Sequence, residues 1–160
     1  MTDFEDEFLS VLNSEDDLGA VVRGHIHIES HLNTLIESCL PNPTYVKKLD
    51  LEYHQKVDLA VACGLEGRLA RPLRALGTLR NKFAHNLDAK LGKKEADCLY
   101  NSFDGEDKQL IQSAFQRTNK QSKEKMPKSL TKMEPKDQFI LIAISLRAAL
   151  LLEIERLISR

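Results

Sequence analysis

The sequence predicts an all-α fold: a bundle of about six to seven helices with a long C-terminal helix at its centre. Three observations carry this. Glycine and proline are scarce, seven and five in 160 residues, whereas a sheet needs dense turn chemistry and more β-branched residues. Leu, Ala, Glu and Lys are abundant, and they lose little rotamer freedom in a helix. Apolar residues also recur at three- and four-residue spacing along most of the chain. With 42% hydrophobic and 29% charged residues, residues 1–160 suffice for one domain with a real core and are too few for two.

Thr2 and Glu5 have capping-box spacing, and Phe4, Phe8, Val11 and Leu12 follow at helical intervals, predicting a first helix over about 3–12. Ser14 and Asp17 restart the pattern. A second helix of about 25 residues carries Leu18, Val22, His25, Glu29, Leu32, Ile36 and Cys39 on one stripe and ends near Pro41 and Pro43. Asp50 is placed to cap a third helix through Tyr53, Val57, Ala60, Val61 and Cys63, stopped by Gly64. A fourth begins near Pro72 with the stripe Leu69, Leu73, Leu76, Arg80, Phe83, and Asn86 is its terminator.

Ala96, Leu99 and Phe103 mark a short helix before Asp104-Gly105, and Leu110, Ile111, Ala114 and Phe115 mark another. Residues 116–137 hold seven basic residues against Glu124, Glu134 and Asp137, which predicts a mobile basic loop. The last helix, about 136–158, is apolar on most sides and should be central.

Several function classes are disfavoured. The acidic N-terminus, with Asp3, Glu5, Asp6 and Glu7, is unlike a secretory signal, so a cytoplasmic protein is expected. The apolar run 139–152 is short for a membrane span and contains Arg147. Cys39, Cys63 and Cys98 read as reduced core thiols. His27 and His31 stand one turn apart but lack a third ligand, so no metal is expected; His25 and Glu29 read instead as a buried hydrogen-bonded pair. Gly64 and Gly67 lack the Lys-Ser/Thr ending of a phosphate loop, and no Ser- or Cys-based triad has local support.

Chemistry concentrates in Leu79-Arg80-Asn81-Lys82-Phe83-Ala84-His85-Asn86. An arginine grips phosphate through paired hydrogen bonds, and a histidine moves a proton near neutral pH. Asn81 is able to hold a phosphate oxygen or orient the imidazole. The surrounding stretch 65–94 holds eight basic residues against Glu66 and Asp88; Arg71, Arg74 and Lys82 are the expected contacts to a nucleic-acid backbone. Arg80 falls on an apolar stripe, where a lone cation is costly, so it must meet a carboxylate such as Glu29 or open onto an anion. Arg80 and His85 lie about 140° apart in helical projection, so they converge only through a frayed helix end or a second copy of the motif, which favours a two-fold dimer.

The run from Leu79 to His85 resembles the Arg, polar residue, short spacer, His signature of the HEPN superfamily, and the layout over 17–86 is similar to its mannitol-repressor-like (MltR-like) members. The resemblance implies a helical bundle, a homodimer and, in active members, a metal-independent endoribonuclease of toxin or phage-defence type that uses no cofactor. Under it Arg80 stabilises charge on the scissile phosphate, His85 shuttles a proton, Asn81 assists, and RNA supplies its own 2′-hydroxyl nucleophile. An antitoxin or regulatory protein is the implied partner. The MltR-like members imply the alternative, a non-catalytic transcriptional regulator or protein-interaction module. A helix-turn-helix reader of DNA is disfavoured, since no separate basic recognition helix stands out.

Overall fold

A computed structural model describes residues 3–86, 88–121 and 129–159. It is all-helical: α1 (Asp3–Ser14), α2 (Asp17–Cys39), α3 (Pro43–Val46), α4 (Tyr53–Ala62), α5 (Ala70–Ala84), α6 (Lys93–Asn101), α7 (Gly105–Gln121) and α8 (Pro135–Ile158), with 3-10 turns at Lys47–Leu49, Gly67–Leu69 and Leu130–Lys132. The single-turn α3 is the element that periodicity could not reveal, because four residues hold no helical repeat. The capping pair at Thr2 lies outside the described residues.

The central pair is α2 and α8; α4 and α5 pack on α2, and α6 and α7 pack on α8. Phe139, Ile142, Ala143, Leu146 and Leu150 of α8 are buried with Ile28, Leu32, Leu35 and Ile36 of α2, so the apolar C-terminal helix is central as expected. No described helix is long and apolar enough to cross a membrane. Helix α2 buries a broader face than one stripe, including Ala20, Val21 and Gly24, because neighbours cover it on several sides. Leu18, expected on that stripe, is exposed.

Two caps differ from expectation. Asp50 does not begin α4; it sits left-handed at φ 47°, closing the 3-10 turn before it, a conformation that Asp tolerates better than most residues. Glu52 is the true cap: its carboxylate accepts from the Gln55 amide, while Gln55 Oε1 accepts the Glu52 N–H at 2.9 Å. At the other end Gly64, at φ 109°, lets Leu65 N–H reach the Ala60 carbonyl (2.9 Å) and Gly64 N–H reach that of Val61 (3.0 Å), the Schellman closure. Arg156 donates to the Gly64 carbonyl at 2.7 Å and Glu153 accepts from Glu66 N–H at 3.2 Å, so α8 holds the turn that leads into α5.

The expected mobile loop over 116–137 is corrected at both ends. Residues up to Gln121 continue α7, while Leu130 and Met133 are buried in the core and anchor the approach to α8. Lys136 is not free for a ligand, since its ammonium donates to the Asn13 carbonyl (3.1 Å) and that of Glu15, satisfying groups at the end of α1. Residues 122–128, with three of the loop's lysines, lie outside the described residues. Among the thiols, Cys39 and Cys63 are half-buried, but Cys98 is exposed on α6 rather than in the core.

Candidate functional site

Helix α5 positions the site. Leu73, Leu76, Leu79 and Phe83 bury its inner face, while Gly77 lets α4 approach closely: a Cβ there would come within 2.7 Å of the Tyr53 ring. Tyr53 is buried and donates its hydroxyl to the Leu73 carbonyl at 3.0 Å, fixing the start of α4 against α5. Between them opens a cleft of about 460 Å³ lined by Glu52, Tyr53, His54, Arg74, Gly77, Thr78, Arg80 and Asn81.

Arg80 reaches this cleft from the apolar seam. It is half-buried, its Nε is buried without a hydrogen-bond partner, and among the described residues it forms no ion pair. Glu29, the acid expected for it, is taken by Lys56, whose Nζ lies 2.7 Å from Oε1. His25 Nδ1 stands 3.7 Å from the other oxygen of Glu29, too far for a hydrogen bond. The expected buried hydrogen-bonded pair is therefore a looser contact, and Glu29 is half-buried rather than buried.

Burial, and secondarily the Arg80 charge, lower the His25 pKa to about 4 against the opposing pull of Glu29. His25 is thus neutral near pH 7. Glu29 and Lys56 cancel, leaving the guanidinium of Arg80 as the uncompensated charge of this group. Burial likewise raises the Tyr53 pKa well above its usual value, so the phenol beside the cleft stays protonated.

His85 does not line the cleft. It is the exposed C-cap of α5, with its N–H donating to the Asn81 carbonyl at 3.1 Å. Positions 74, 78, 81 and 85 nevertheless fall on one helical face, so His85 lies one turn beyond the cleft lining. Asn86, the expected terminator, follows that cap instead, and its Oδ1 accepts from Asp88 N–H at 3.0 Å in the turn beyond the helix.

The other expected phosphate contacts separate. Arg74 lines the cleft but pairs with Asp58, and Lys82 pairs with Glu95 at 2.7 Å. Arg68 is held by Glu66 at 2.5 Å and by Asp107, and Lys93 by Asp97 at 2.9 Å. Arg71, Lys90 and Lys94 are exposed and form no ion pair among the described residues. Exposed pairs such as Arg74–Asp58 contribute little and exchange readily for another anion.

His27 packs edge-on against Phe8 at 4.8 Å, and among the described residues no three His, Cys, Asp or Glu side chains gather to hold a metal. Sequence reasoning missed Glu52, His54 and Thr78. The Glu-x-x-Gln spacing of a capping box at Glu52 and Gln55 was the available signal, and it places His54 in the first turn of α4. No protein-family model, curated protein or solved structure matches the chain.

Proposed function

We propose that the protein is a HEPN-like, metal-independent endoribonuclease of toxin or defence type that acts on RNA in the cytosol and takes a backbone phosphate into the α4–α5 cleft. The observation that carries this reading is Arg80: a half-buried guanidinium on a polar cleft, with Glu29, the acid expected for it, bound instead to Lys56. A phosphate oxygen would supply the missing counter-charge. Asn81 lines the same cleft and would hold a second oxygen. His85, one turn along the face, would exchange a proton with the 2′-hydroxyl or the departing 5′ oxygen. A homodimer belongs to this reading, because a second copy would bring another α5 end to the open side of the cleft.

The test is incubation of purified protein with end-labelled RNA in EDTA. Cleavage leaving 2′,3′-cyclic phosphate ends, lost in His85→Ala and Arg80→Ala, is the expected result. The position of His85 outside the cleft lining favours a second reading, in which the site binds a nucleic-acid phosphate and regulates without cutting. Salt-dependent RNA binding with no product would select it.

A further inference from the structure

Cutting RNA through its own 2′-hydroxyl takes two proton movements, one off the nucleophile and one onto the leaving oxygen, and within one protomer the single imidazole on α5 supplies only one carrier. The cleft contains a second. His54, in the first turn of α4, lines the same space as Arg80 and Asn81, reaching it from the opposite helix. Its Nδ1 lies 3.3 Å from Oε2 of Glu52. That carboxylate is itself held, because it caps α4 by accepting from the Gln55 amide. The pair is largely exposed and is an ion-pair contact rather than a hydrogen bond; a carboxylate set beside Nδ1 favours the ring orientation that leaves Nε2 as the nitrogen for a ligand.

We propose that His54 is the second proton carrier of the cleft and that Glu52 positions it, an inference that rests on the ribonuclease reading above. One of His54 and His85 takes the 2′-hydroxyl proton as the 2′ oxygen bonds to phosphorus. The other gives its proton to the 5′ oxygen as the P–O5′ bond breaks. The products are a 2′,3′-cyclic phosphate and a free 5′-hydroxyl; the two imidazoles end the step with their protonation states exchanged, and no water, metal or redox partner enters. Arg80 and Asn81 hold the nonbridging oxygens while this occurs.

The experiment compares wild type, His54→Ala, Glu52→Gln and the double variant in single-turnover cleavage of a short RNA in EDTA, with affinity measured on its uncleavable 2′-deoxy analogue. His54 is largely exposed, so His54→Ala should melt with wild type. The expected result is a cleavage rate lower by about 100-fold or more in His54→Ala, with affinity for the analogue unchanged. Glu52→Gln should lose less. The double variant should be no slower than His54→Ala, as it must be if Glu52 acts through that ring. Wild-type cleavage rates in His54→Ala would overturn the role of His54 and leave the ribonuclease reading standing. Equal losses of rate and affinity would make His54 a binding residue only and overturn the proposal. A wild-type protein inert towards RNA would remove both.

Discussion

Lys56 Nζ sits 2.7 Å from Glu29 Oε1 across the α2–α4 interface, while Arg80, for which Glu29 was the expected acid, forms no ion pair among the described residues. Replacing Lys56 by Met should free Glu29 to neutralise Arg80. RNA affinity, read by fluorescence anisotropy at fixed salt, should then fall even though Lys56 does not line the cleft. The protein should also lose roughly 1–3 kcal/mol for a charge-assisted hydrogen bond in a half-buried setting. Unchanged affinity would mean that Glu29 has no influence on the charge of the cleft.

Under the proposed reading, Arg80 trades stability for binding. An uncompensated guanidinium beside the core is a cost to folding, so Arg80→Met should raise the melting temperature. A gain of about 1 kcal/mol corresponds to about 2–4 °C for a chain of this size. Added RNA should raise the melting point of wild type by mass action and leave that of Arg80→Met where it is. Arg80→Lys should recover part of the binding, since a point charge cannot reproduce the planar fork. A melting point lowered by Arg80→Met would show that the guanidinium is compensated after all.

His25 makes stability depend on pH with a definite sign. Its folded pKa of about 4 lies below the 6.5 usual for a free histidine, so between these values the unfolded chain binds more protons. Its contribution is complete above about pH 6.5 and is lost as the pH falls towards 4. The depth is on the order of 3 kcal/mol. Urea titrations at stepped pH should show this slope in wild type and a flatter one in His25→Leu. Identical slopes would assign the acid limb to carboxylates such as Glu95 and Asp97, whose pKa values are lowered by Lys82 and Lys93 respectively.

Long periodic elements were legible from sequence because a repeat of apolar side chains dictates a buried face, as in α5 and α8. Positions set by tertiary contact were not. The spacing between Glu29 and Arg80 showed two charges near an apolar stripe, but Lys56, arriving from a third helix, decided which was neutralised. Lys136 read as one more cation in a polar stretch until its contacts with the carbonyls that end α1 gave it a structural role. His54 was invisible because its place depends on which acid caps α4: Asp50, the conventional cap residue, adopts a left-handed turn, and Glu52 takes over. Local propensity named the residue types, and packing chose among them.

Gly77 is the position where fold and cleft constrain one another most closely. Its missing Cβ is occupied, in effect, by the Tyr53 ring, two of whose carbons would lie 2.7 Å from an added methyl. The ring has little room to withdraw, being buried and tethered by its hydroxyl to the Leu73 carbonyl. Gly77→Ala should therefore push α4 away from α5 and cost about 1–3 kcal/mol as overpacking, despite the better helix propensity of alanine. Separating the helices also moves His54 and Glu52 relative to Arg80, so cleavage should fall further than the stability loss explains at temperatures where the variant is fully folded. Truncating the ring in the same chain, as Tyr53→Leu with Gly77→Ala, should recover part of the stability by making room for the methyl. Equal melting points for wild type and Gly77→Ala would show that the ring is free to move aside and that this contact does not set the width of the cleft.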